Sequence, residues 1–275
     1  MPPDPFLQRL VSVLAEVPGV EAIVLGGSRA RGTAHAGSDY DIGLYYTAAA
    51  PLDTGALLQA AKRLADNPAS TTVTSIGEWG PWIVGGAWLS VKGRKVDLLY
   101  RNIEAVARVI DSCRAGSITM DYQAGHPHGF CSAFWAGEIA LCRPLHDPRG
   151  AIAQLKARAL PYPLPLREAL LRRFHWEILF SIENAELAAS RPDPTHIAGC
   201  VYRSLACIAQ VLFALNKRYL INEKGALEEA ETFPVMLPEL TDRVADIWQF
   251  VGDREFEDAL ALLRELQEEV KALGE

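Results

Sequence analysis

Six residues have the types and spacing that chemistry requires. Gly26, Gly27 and Ser28 lie in Leu25-Gly-Gly-Ser-Arg-Ala-Arg-Gly32, Asp39 and Asp41 in Ser38-Asp-Tyr-Asp-Ile42, and Asp97 in Lys95-Val-Asp-Leu-Leu-Tyr100. The paired glycines allow a backbone to approach a bound group with no Cβ between them. Ser28 adds a hydroxyl, and amides at a helix start attract phosphate oxygens. Asp39 and Asp41 are two residues apart, so on a strand they project from one face. Carboxylates this close repel unless a cation lies between them. Hard oxygen ligands suit Mg²⁺, which commonly shares its shell with substrate phosphates. Asp97 supplies a third acid, able to serve a metal or to take a proton from an attacking hydroxyl.

Particular elements must position these groups. Val20–Leu25 reads as a short buried strand ending at the glycines, and Asp39–Tyr46 as a second strand. Ala87–Val91 and Lys95–Arg101 flank Lys92-Gly-Arg94, a hairpin signal. In the last strand Val96, Leu98 and Tyr100 share one face, which leaves Asp97 on the other beside Leu99. Helical spacing is read over Pro5–Glu16, Leu57–Asp66 and Ile103–Cys113. Prolines 144, 148, 161, 163 and 165 then interrupt the pattern, and beyond them it is helical. One apolar stripe is Leu171, Phe174, Ile178, Ile182 and Ala185; a second is Val201, Leu205, Ile208, Leu212 and Leu215. A third runs Phe256, Leu260, Leu263, Leu266, Val270 and Leu273. The expectation is an α+β domain over 1–143, with a mixed sheet and flanking helices, followed by an all-α bundle over 144–275. The linker is expected near 144–166.

Gly26-Gly27-Ser28, then Asp39-Tyr-Asp41-Ile42, then Asp97 on a later strand, resembles the nucleotidyltransferase fold shared with DNA polymerase beta. The small-molecule branch, the aminoglycoside nucleotidyltransferase-like proteins, is the more similar one. The resemblance covers residues 20–101 and implies that Gly27 and Ser28 bind the β- and γ-phosphates of a nucleoside triphosphate. It implies that Asp39, Asp41 and Asp97 hold two Mg²⁺ ions, with Asp97 also the general base. Arg29 and Arg31 flank the turn, where one could touch a phosphate. The implied reaction is in-line attack of a hydroxyl on the α-phosphorus, with pyrophosphate leaving. The donor expected is ATP or another nucleoside triphosphate, and the acceptor a small hydroxylated molecule such as an aminoglycoside-like antibiotic. A protein side chain as acceptor, as in toxin–antitoxin pairs, and a non-catalytic nucleotide-binding regulator are the alternatives.

Other features are weighed against plainer readings. In Asn216-Lys-Arg-Tyr-Leu-Ile-Asn-Glu-Lys224, Lys217, Arg218 or Lys224 could reach a triphosphate, with Lys224 the named contact, and Tyr219 could stack on a base. The plainer reading is a basic helix end favoured by the macrodipole. Glu177, Glu183 and Asn184 could hold a cationic acceptor but read first as a solvated helix face, and His126-Pro-His128, a possible metal pair, reads first as a loop without a third ligand at zinc spacing. Trp79, Trp82 and Trp88 read as core ahead of a ligand platform. The five cysteines show no Cys-x-x-Cys spacing and read as reduced buried thiols.

The chain has 275 residues, 49% of them hydrophobic, enough to bury a core. Its net charge of −7 argues against gripping polymeric DNA or RNA while leaving free nucleotides open. The uncharged windows are too short for a membrane span and no signal-like start is visible, so a cytoplasmic enzyme is expected.

Overall fold

A computed structural model of the chain describes residues 4–189 and 193–274. In chain order its elements begin with α1 (Pro5–Leu14), β1 (Ala22–Leu25), α2 (Gly27–Arg31), β2 (Tyr40–Tyr46) and α3 (Thr54–Leu64). Next come β3 (Gly86–Val91), β4 (Arg94–Asn102), α4 (Ile103–Arg114), β5 (Met120–Gln123), β6 (His126–Cys131), α5 (Ala133–Leu141) and β7 (Arg143–His146). The remaining helices are α6 (Ala151–Ala159), α7 (Leu164–Ala189), α8 (Pro194–Leu215), α9 (Ala226–Glu231), α10 (Leu240–Asp253) and α11 (Phe256–Gly274).

The chain divides into two compact units. The first takes in residues up to Ser112 together with Asp121–Gly125 and Trp135–Pro161; the second takes Cys113–Met120, His126–Phe134 and Tyr162 onward. The first unit thus extends past the break expected at 143/144, because Arg143–His146 pairs with β1 as an antiparallel edge strand.

In the first unit a five-stranded sheet runs in the order β3-β4-β2-β1-β7. β2 and β4 are parallel and the other pairings antiparallel, so the sheet is mixed, as expected. Its core face carries Tyr40, Ile42 and Leu44 of β2, Val96, Leu98 and Tyr100 of β4, and Ala87, Leu89 and Val91 of β3. These pack with Phe6, Leu10 and Leu14 of α1 and Leu57, Ala61 and Leu64 of α3. The helix starts are set by local chemistry: Asp4 and Asp53 accept from backbone N–H groups of α1 and α3 at 2.9 and 2.8 Å. The β3–β4 hairpin closes through Lys92 and Gly93, both at positive φ. The Asp66 carboxylate accepts from both their N–H groups at 2.6 and 2.8 Å.

The opposite face of the sheet has a covered end and an open one. At the covered end Arg101, 2% exposed, forms a two-pronged pair with Glu138 of α5 at 2.9 and 2.8 Å. The open end carries Asp41, Asp97 and Trp88.

The second unit is helical at its centre. Phe174, Ile178, Ile182 and Ala185 of α7 are buried, as are Val201, Leu205, Ile208, Leu212 and Leu215 of α8. Ser204 of α8 donates to the Ile178 carbonyl at 3.0 Å. By length and composition α8 alone among the described helices is apolar enough to cross a membrane; its residues are mostly buried within the fold. In α11 the expected stripe is buried from Phe256 to Val270, whereas Leu273 in the last turn is exposed.

Candidate active site

Register alignment brings the acids together. Asp41 of β2 is opposite Asp97 of β4, and Asp97 is opposite Trp88 of β3. Directly opposed residues share a sheet face, so two carboxylates and an indole line up across three strands. Asp39 immediately precedes β2 rather than lying on it, because its carbonyl is diverted to the Arg29 side chain. Its charge nevertheless acts on both other acids.

The electrostatics are those of a group of anions lacking a counter-ion. Burial, then the charges of Asp97 and Asp39, push the Asp41 carboxyl up to about 6. Burial and the charge of Asp39 raise Asp97 as well, against a lowering pull from Lys95. Among the described residues no lysine or arginine forms an ion pair with Asp41 or Asp97. Arg94, one candidate partner for Asp97, instead donates to the Tyr40 hydroxyl at 3.1 Å and lies over the Phe6 ring. Three convergent carboxylates with this balance fit a divalent cation in oxygen coordination.

The glycine turn is tied to the same strand. Gly26 donates its N–H to the Asp41 carbonyl at 2.8 Å and ends β1, and α2 begins at Gly27. Gly27 has φ +58°, and a Cβ there would overlap Asp41 Oδ2. Only glycine fits this position, which puts the start of α2 directly against the carboxylate. Ser28 follows in the first turn of α2, and its carbonyl accepts from Gly32 and Thr33.

Arg29 is committed to the main chain. Its Nε donates to the carbonyls of Ser38 and Asp39 at 3.1 Å each, and its Nη2 to Ser38 at 2.6 Å. The guanidinium carbon is 3.9 Å from the Tyr40 ring centroid. Arg29 thus clasps the loop that delivers Asp39. Arg31 is half-buried at the end of α2.

Several other readings change. Trp88 is not core: it is 71% exposed, on the acid face. The signal was the strand phase, since Ala87, Leu89 and Val91 alternate with it as the buried set. Trp79 stacks on Trp88 with centroids 4.5 Å apart and planes at 21°. In the second unit Tyr219 is buried against Tyr162 at 4.7 Å, which removes it as a stacking surface for a base. Lys224 is exposed in the turn before α9, where its N–H bonds Asn222 Oδ1 at 2.6 Å. Lys217 takes φ +53° just after α8, and Arg218 lies over the Phe233 ring.

Glu177 is not on a solvated face; Glu183 on the same helix is exposed. Glu177 is 4% exposed and pairs with Arg173 at 3.1 Å, Arg203 at 3.6 Å and His128 at 3.8 Å. Burial alone would raise its carboxyl, but the neighbouring His128 imidazole and both arginines outweigh it and hold the group at about 2. His126 and His128 lie on β6 rather than in a loop, and His126 pairs with Glu223 at 3.2 Å. His128, Glu177 and Cys207 have metal-ligating donors within 4.8 Å of one another. The two guanidiniums on Glu177 make this an internal ion cluster that fastens β6, α7 and α8. The five cysteines are free, and all but Cys200 are buried.

Residues 7–112 match the family model described as a nucleotidyltransferase domain. A comparison with curated proteins gives no match. Among solved structures, a nucleotidyltransferase-like protein from Exiguobacterium sibiricum 255-15 aligns over 95% of this chain and 73% of its own. The identity is 12% and the TM-score 0.43.

Proposed function

We propose, from the match of residues 7–112 to the nucleotidyltransferase-domain model, a Mg²⁺-dependent enzyme that moves AMP from ATP onto a small hydroxylated acceptor. The acceptor class proposed is aminoglycoside-like, and a cytoplasmic setting rich in ATP and Mg²⁺ suits it. One observation carries the reading: Asp41, raised to about 6 by burial and by Asp97 and Asp39, stands against Gly27 with no lysine or arginine of the described chain paired to it.

In this reading Asp39, Asp41 and Asp97 are the ligands of two Mg²⁺ ions. When bound, the ions supply charge stabilisation to the attacking and leaving oxygens. Gly27 and Ser28 bind the β- and γ-phosphates through the open start of α2. Arg29 positions Asp39 through the Ser38–Asp39 carbonyls, a role its hydrogen bonds support. Asp97 accepts the proton of the acceptor hydroxyl at its carboxylate while the acceptor oxygen bonds to the α-phosphorus. The bond from that phosphorus to the bridging oxygen breaks, and pyrophosphate departs toward α2. Much of the rate then comes from holding the reactants in line. Lys224 is retained as a proposed triphosphate contact.

The test is pyrophosphate release from Mg-ATP over a panel of aminoglycosides and other hydroxylated acceptors, with Asp39→Ala/Asp41→Ala as control. Acceptor-dependent release that disappears in the double variant is the expected result. Label arriving on a protein instead would favour a protein acceptor. Absence of both pyrophosphate release and nucleotide binding would overturn the reading.

A further inference from the structure

The exposed indole of Trp88 is a costly use of a large apolar side chain, and its place in the sheet gives it a purpose. From one edge the order is β3, β4, β2, β1, with α2 leading off β1. Across the open face this reads as Trp88, Asp97, Asp41 and then the glycine turn. In-line displacement needs the attacking and leaving oxygens on opposite sides of the phosphorus. With the pyrophosphate over α2, the phosphorus lies above the acids, and the attacking hydroxyl must come from the β3 side. The first side chain beyond Asp97 in that direction is Trp88.

The platform is built rather than incidental. Trp79 backs one face of Trp88, and the loop that carries Trp79 is clamped by Gln123, which is 3% exposed. Gln123 Nε2 donates to the Trp79 carbonyl at 2.8 Å, and its Oε1 accepts from the Trp82 and Ile83 N–H groups at 3.2 Å each. Gly77 further closes the loop by donating to the Val84 carbonyl at 2.6 Å. The outer indole face therefore stands on a fixed base beside a group of carboxylates. Such a surface attracts ammonium groups by cation–π interaction while the neighbouring acids add attraction for positive charge.

We propose that the Trp88–Trp79 stack is the acceptor subsite, and that it selects a cationic hydroxylated ring, an aminosugar, delivering its hydroxyl toward Asp97. This deepens the proposed transferase reading and rests on it for the direction of attack. It assigns Trp88 to the acceptor and not to the nucleobase.

The test uses the full chain and two calorimetric titrations with Mg²⁺ present, one with the aminosugar neamine and one with the non-cleavable analogue α,β-methylene-ATP. Trp88→Ala should weaken neamine binding by about ten-fold, within the range of a cation–π contact. It should leave the nucleotide affinity within about two-fold, and Trp88→Phe should recover most of the loss. Methyl α-D-glucopyranoside, which lacks the charge, should bind more weakly than neamine. The subsite is overturned if neamine does not bind the unmodified protein, if Trp88→Ala leaves its affinity unchanged, or if the loss appears in the nucleotide titration. Failure of the unmodified protein to bind α,β-methylene-ATP would count against the transferase reading instead. A Trp88-dependent neamine signal would still stand.

Discussion

Asp41 is half-buried, with Asp39 and Asp97 as neighbours and a carboxyl pushed up to about 6. An acid whose folded pKa lies above its unfolded value binds more protons when folded, so stability falls as pH rises between the two. Here that window runs from about 3.8 to about 6 in the metal-free protein. The ionised group then costs up to roughly 3 kcal/mol at neutral pH, at about 1.4 kcal/mol per pKa unit. Asp41→Asn should therefore raise the Tm in EDTA at pH 8 by several degrees, lose that advantage at pH 4, and abolish transfer. Added Mg²⁺ should raise the Tm of the unmodified protein and leave Asp41→Asn unchanged, since only a ligand that binds the folded state stabilises it. Equal Tm values for the two proteins in EDTA at pH 8 would refute the argument. At this scale the sequence was informative where phase decides: Val96, Leu98 and Tyr100 placed Asp97 on the far face, where it is found. For Trp88 core outweighed a ligand platform because a tryptophan in an apolar run reads as buried, yet it is exposed. Only its alternation with Ala87 and Leu89 marks it as facing outward.

Between β1 and β2 the element that matters is α2 with the loop behind it. Gly27 combines positive φ with direct contact to Asp41, so Gly27→Ala forces strained backbone and displaces the carboxylate. The expected cost is about 1–3 kcal/mol in stability, with loss of Mg²⁺-dependent nucleotide binding measured by calorimetry. Full binding in that variant would show that the turn does not cradle phosphate. Arg29→Lys tests the clasp from the other side. A lysine is a single point donor and cannot replace a guanidinium that reaches two carbonyls. Arg29→Lys should weaken Mg²⁺ binding several-fold by loosening Asp39, with little change in Tm. β1 to β4, their hairpin and α1 were readable from periodicity and turn residues, their ends shifting by no more than two positions, whereas β5, β6 and β7 were not. The start of β2 was not readable, because it depends on a side chain ten residues earlier taking the Asp39 carbonyl.

Over the whole molecule the two units assemble from separated pieces of chain, which no local pattern announces. Residues 113–120 and 126–134 pack with the helices, while 135–161 return to the sheet. Proline clustering marked an interruption near 144–166, yet edge pairing of Arg143–His146 onto β1 is a long-range contact that composition does not reveal. The Glu177 cluster is equally non-local, joining His128 of β6 to Arg173 and Glu177 of α7 and Arg203 of α8. Its pH response opposes that of Asp41. A carboxyl held near 2 when folded stabilises the protein above its unfolded pKa near 4.5, and that contribution is lost as pH falls toward 2. Acidification from pH 6 to pH 4 should thus strengthen the metal-free sheet unit, and further acidification should weaken the helical one. Hydrogen exchange resolved by segment reads both. Protection in β2 and β4 should rise between pH 6 and pH 4, and protection in α7 and α8 should fall below about pH 4, after correction for intrinsic exchange. Glu177→Gln removes the charge that Arg173 and Arg203 answer; both guanidiniums are more than a third exposed, so water offsets part of the loss and the cost should be about 1–2 kcal/mol. Its helices should then show no further acid-dependent loss. A parallel response of the two units to pH would mean that neither cluster governs the stability of its own unit.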